Sequence, residues 1–165
     1  MMTTAVVALD IDLDRNPLLV SPTRRYVESV LKRMIKDADF VARAAIVVHE
    51  LLDNGAKYAP PGARIEFSLT LAGGAEASLT IRLTNRTTPA HVERLQRFIS
   101  EVNGAQDATA LYIEMMCRQP LDRTVSGLGL ARIRAEAEMN LDLVIAADTA
   151  TIVVKTEAPM LRAAA

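Results

Sequence analysis

Apolar and polar positions divide the chain into segments of two periods. From Thr4 to Leu13 Val, Ile and Leu dominate, with Asp10, Asp12 and Asp14 alternating at the end, which predicts a strand at a sheet edge. Asn16 to Val20 reads as a connector closed by Ser21-Pro22, an N-cap followed by the first helical residue. The helix expected over Pro22 to Lys36 carries Val27, Val30, Leu31, Met34 and Ile35 on one stripe. A second helix starts near Asp39, includes H-E-L-L-D-N-G-A-K-Y-A from His49 to Ala59, and stops at Pro60-Pro61-Gly62.

Period two returns at Arg64 to Leu71 and Ala77 to Leu83. Ile65, Phe67 and Leu69, then Leu79, Ile81 and Leu83, share one face across a Gly-Gly link, which predicts a hairpin. Asn85-Arg86-Thr87-Thr88 leads to a helix from Pro89 to Ser100, capped by Thr88, with Val92, Leu95, Phe98 and Ile99 inward and Asn103-Gly104 as the break. Asp107 to Cys117 is a further helix, apolar through Leu111, Tyr112, Met115 and Met116, with the Met pair read as core filler rather than a ligand site. Gln119 to Val125 is a loop, S-G-L-G-L from Ser126 opens a helix, and strands at Leu141–Ala147 and Thr151–Thr156 flank Asp148-Thr149. Two hairpins and clustered helices, without strict βαβ alternation, predict a two-layer α/β (α+β) sandwich. Its sheet is mixed, mostly antiparallel, with helices on one face.

Composition narrows the classes. At 165 residues and 50% hydrophobic, the chain has material for one domain with a real core. Residues 1–157 are expected to form it and 158–165 a frayed tail. A formal net charge of −1 and a pI near 6.1 give no electrostatic case for nucleic acid or an anionic membrane. One Cys and two His argue against a disulfide framework and a structural zinc. No apolar run reaches spanning length and the N-terminus lacks a basic signal region, so a soluble cytoplasmic protein is expected.

Two stretches carry candidate chemistry. Glu50, Asn54 and Lys57 share one helix face. Their carboxylate, amide and ammonium suit a polyanion with a hard cation, though the same pattern describes a solvated face. Gly127-Leu128-Gly129 precedes a helix whose free N–H groups and dipole suit phosphate, though close helix packing explains the glycines equally well.

E-L-L-D-N-G-A-K-Y-A resembles the N box of the GHKL superfamily of ATPases and kinases, and S-G-L-G-L-A-R-I-R-A-E-A resembles its G2 box. The resemblance spans Asp39 to Thr156 and is nearest to SiaB-like and anti-sigma-factor Ser/Thr kinases. It implies a Bergerat-type fold, ATP with Mg²⁺, and phosphorylation of a small STAS-like or SiaC-like partner. By the family pattern Glu50 is the catalytic base and Asn54 the metal ligand. Asn54, Lys57, Tyr58, Arg123, Ser126, Gly127, Leu128, Gly129 and Leu130 would hold the nucleotide. The N-terminal strand and helix look like elements of a homodimer. The third box, whose Asp binds adenine, is missing: Leu83-Thr84-Asn85-Arg86-Thr87 stands in its place, with Thr84 or Asn85 as substitutes. That gap admits a second function on the same scaffold, an adaptor that binds a signalling partner without ATP turnover. A histidine autokinase ranks third, because no dimerisation helix pair with a phosphorylatable His precedes the domain.

Overall fold

Alternate residues of the central hairpin set the layering. In the computed structural model, which describes residues 5–73, 77–118 and 127–159, strands β2 (Arg64–Ala72) and β3 (Ser78–Arg86) pair antiparallel. Register sets Phe67 opposite Leu83, Leu69 opposite Ile81 and Leu71 opposite Leu79, all buried on the same face. The opposite face is polar, with Ser68, Thr70, Arg82 and Thr84. A strand with one wet face must alternate in this way.

Three further strands complete the sheet, in the order β1-β2-β3-β5-β4 and antiparallel throughout. β1 (Ala5–Asp14) is an edge, as the sequence predicts. β4 (Asp142–Ala146) and β5 (Thr149–Glu157) form the second hairpin, and β4 is the other edge. Its turn is Ala147-Asp148, one residue earlier than the pattern suggests, with Ala147 at φ 50°. Tight hairpins require positive φ, which matches the strand twist.

The helices cover the apolar face. α1 (Val20–Met34) starts two residues before Pro22. Ser21 is not its cap. Asn16 caps a 3-10 turn at Pro17–Leu19 by accepting from the Leu18 N–H at 3.0 Å, and α1 follows directly. Pro22 is tolerated because the first-turn N–H groups have no intrahelical acceptor. α2 (Ala38–Tyr58) is capped by Asp37, which accepts from the Phe40 N–H at 2.9 Å. Gly55 lets α2 sit close on the sheet: a Cβ there would lie 3.0 Å from Ile65 and from Leu83.

α3 (Pro89–Gly104) begins at the expected Thr88 cap but runs past Ser100, because Val102 continues the buried stripe of Leu95 and Ile99. Val92 and Phe98 are only partly buried. α4 (Ala108–Arg118) buries no residue: Leu111, Tyr112 and Met115 are half-covered and Met116 is exposed, so this helix is less of a core element than its composition suggests. α5 (Leu128–Arg132) passes into a π-helical turn at Ile133–Ala137, closed by Glu138 in the left-handed region. The segment 119–125 and residues 160–165 of the tail lie outside the described residues. No helix among the described residues is long and apolar enough to cross a membrane.

Candidate functional site

Glu50, Asn54 and Tyr58 follow at intervals of four on α2. Glu50 is 9% exposed, unusual for a carboxylate without a partner. Its partner is Arg132 of α5, whose guanidinium donates to Glu50 Oε1 at 3.0 Å and through Nε to Glu136 Oε2 at 2.7 Å. Burial opposes the charge of Arg132, but the hydrogen bonds to Glu136 and Glu50 outweigh it and raise its pKa. The other Glu50 oxygen lies against Gly129, within contact range of any Cβ placed there. The glycine is required for the carboxylate to approach the first turn of α5.

One turn further along, Asn54 and Tyr58 line a cavity of about 60 Å³ with His91, Arg94, Leu95 and Phe98 of α3 and Gly127 and Leu130 at the start of α5. No hydrogen bond engages the Asn54 amide among the described residues. The Phe98 ring rests on Gly127, filling the space a side chain would take. The Tyr58 and His91 rings lie 5.1 Å apart at 32°, and burial, with Arg94 nearby, lowers the His91 pKa.

Lys57 points elsewhere. It binds Asp53 at 2.6 Å, a hydrogen bond that raises its pKa, and it does not line the cavity. Leu128 is half-buried and also outside the cavity wall. Ser126 and Arg123 lie outside the described residues. Of the two candidates to replace the adenine-binding acid, Thr84 faces the polar side of the sheet, 2.8 Å from Thr151. Asn85 is on the helix side and buried, donating to the Arg86 carbonyl at 3.2 Å. Two residues on, the Thr87 hydroxyl is buried without a hydrogen-bond partner among the described residues.

Sequence reasoning missed Arg132, Phe98 and His91. Arg132 and Glu136 sit four apart and signal an ion pair, but nothing local shows that the same guanidinium reaches α2. Phe98 reads as one more apolar residue of α3.

The residue types at this face suit the phosphate and metal half of a magnesium nucleotide. Among the described residues the Asn54 amide oxygen is unengaged and the first turn of α5 carries N–H groups without intrahelical acceptors, but the Phe98 ring and the Glu50 carboxylate occupy the open sides of Gly127 and Gly129. No cluster of three His, Cys, Asp or Glu among the described residues could hold an ion unaided, so a cation here would depend on phosphate oxygens for most of its shell. For the base half, the described wall of the cavity holds no acid that could accept from an adenine amino group.

An antiparallel sheet, a helical layer on one face and a cavity between α2, α3 and α5 define a two-layer α+β sandwich with its candidate site inside the helical layer. The fold is similar to a chain in the crystal structure of the SiaB–SiaC complex from Pseudomonas aeruginosa, with TM-score 0.62 over 92% of this chain and 89% of that one. At 16% identity the likeness is one of fold. No family model and no curated protein matches the chain.

Proposed function

We propose that the chain is a SiaB-like signalling regulator that binds Mg-ATP at the α2–α5 face and phosphorylates a Ser or Thr of a small SiaC-type or STAS-type partner. The main support is convergence: Asn54 from one helix and Gly127 and Leu130 from another meet at one cavity, with the Glu50 carboxylate a turn away. Bound Mg-ATP supplies the phosphoryl group and the cation that spreads its charge. Asn54 gives the cation an oxygen. Gly127, Leu128, Gly129 and Leu130 turn backbone N–H groups toward phosphate; the family pattern assigns phosphate contacts to Ser126 and Arg123 as well, which lie outside the described residues. Lys57 exchanges Asp53 for a phosphate oxygen, Tyr58 flanks the nucleotide, and Glu50 takes the proton of the attacking hydroxyl. The partner's identity rests on the solved complex, whose two proteins are named together.

A second reading has its own observations. The 60 Å³ cavity, the Phe98 ring on Gly127 and the Arg132 clamp on Glu50 suit a GHKL-like adaptor that binds its partner without turning over nucleotide.

Thermal unfolding in millimolar Mg-ATP separates the two. Binding raises the midpoint by mass action. For the kinase, Asn54→Ala removes the magnesium-dependent part of the shift, and Glu50→Gln keeps the shift while phosphate transfer to the partner stops. A folded protein whose midpoint ignores Mg-ATP is the adaptor.

A further inference from the structure

The two edges of the sheet are built differently. β1 carries Asp10, Asp12 and Asp14 at alternate positions. Antiparallel self-pairing about Asp12 would set Asp12 against itself and Asp10 against Asp14, so like charges oppose one another. β4 is short and reads D-L-V-I-A, with Val144 54% exposed and Ile145 37% exposed.

The hydrogen-bonding direction of β4 follows from its hairpin. Ala146 and Thr149 flank the turn and face one another. In a two-residue hairpin that flanking pair exchanges both backbone bonds, so Ala146, Val144 and Asp142 bond inward to β5. Leu141, Leu143 and Ile145 therefore turn their N–H and C=O groups outward. Asn103 of α3 verifies this alternation: its amide donates to the Leu141 carbonyl at 2.6 Å and accepts from the Leu141 N–H at 3.2 Å. A side-chain amide thus fills the first outward slot. Among the described residues the slots of Leu143 and Ile145 have no partner, which leaves polar backbone beside exposed apolar side chains.

We propose that a second copy of this chain fills those slots, β4 against β4, about a two-fold axis through Val144. In that register Leu143 of each copy exchanges N–H···O=C bonds with Ile145 of the other, so every open slot is used. Val144 meets its symmetry mate on the polar face of the sheet, in the close spacing of a non-hydrogen-bonded pair. Leu143 packs beside the other copy's Ile145 on the helix face. Asp142 lies opposite Ala146, so no like charges oppose. Asn103 closes the next slot and limits the ladder to this segment. The contact is isologous, as a closed dimer requires. Its small extent makes association weak and concentration-dependent. The proposal is independent of whether the α2–α5 face binds nucleotide, and it locates the dimer at the edge opposite the N-terminal strand.

The axis residue provides the test. Sedimentation equilibrium of the full chain is run from micromolar to near-millimolar, with reductant to keep the exposed Cys117 as a thiol. The weight-average mass of the native protein is expected to rise toward that of the dimer. Val144→Asp and Val144→Lys each place like charges on the axis and should weaken association at least tenfold. Both should keep the native unfolding midpoint to within a few degrees, because Val144 is exposed. An equimolar mixture of the two should associate again, since Asp then faces Lys. A native protein monomeric across the series overturns the proposal. So does undiminished association of both variants, or a mixture that stays monomeric. Capture of another protein's strand by this edge, with no self-association, counts with the first of these.

Discussion

Two glycines and one ion pair carry the local geometry of the candidate site. A Cβ at residue 129 would meet the Glu50 carboxylate directly, so Gly129→Ala is expected to displace Glu50 from Arg132 and to cost about 1–3 kcal/mol, the usual range for overpacking. Urea unfolding measures that loss. Glu50→Ala leaves Arg132 with Glu136 alone, and Arg132 is partly solvated, so the expected cost is about 1–2 kcal/mol rather than that of a fully buried pair. His91 tests the cavity by pH. Its folded pKa lies below the usual imidazole value of 6.5, mainly through burial, so the folded state prefers the neutral ring. The stability this gives is complete above 6.5 and is lost as the pH falls through the lower folded value. The midpoint of thermal unfolding should therefore fall on acidification below 6.5, and His91→Gln should flatten that slope. A slope unchanged in the variant would remove His91 as its source.

At the scale of elements, the strands and long helices were legible because each has one wet face. Period two in β2 and β3 and the stripes of α1 and α2 follow from that asymmetry, and Asp37 and Thr88 cap their helices through local chemistry. The misreadings have local causes as well. Asn16-Pro17 and Ser21-Pro22 carry the same start signal, and the earlier one is used because the chain turns into the helical layer there. α4 has the composition of a buried helix yet buries nothing, since period alone does not say how much of a face meets a neighbour. Asn103 at the end of α3 reads as a helix breaker, but its amide serves as a strand mimic for Leu141. Asn103→Ala removes both bonds and should lower stability by about 1–3 kcal/mol in denaturant titration. Amide exchange at Leu141 should accelerate selectively over that at the centre of β3.

On the scale of the whole molecule, both layers share one cluster of buried side chains, from Val27 and Leu31 in α1 through Leu51 and Leu52 in α2 to Phe67, Ile81 and Ile152 in the sheet. Unfolding should accordingly be a single cooperative transition by circular dichroism and fluorescence of a bound reporter dye alike. Leu51 is fully buried in that cluster, and Leu51→Ala should cost about 3–5 kcal/mol, a large part of the roughly 5–15 kcal/mol that holds a domain of this kind. The sequence by itself determined the order and type of the main elements, the wet and dry faces of β2 and β3, and the placing of Glu50 and Asn54 on one face of α2. Those features depend on neighbours within a few residues, where periodicity and capping act. Only the tertiary structure decided that Arg132 reaches back to Glu50, that Phe98 covers Gly127, and that the outward slots of β4 stand open among the described residues. Those contacts join side chains from separate elements, or depend on which strands become neighbours, and the distances that settle them arise only when the layers pack.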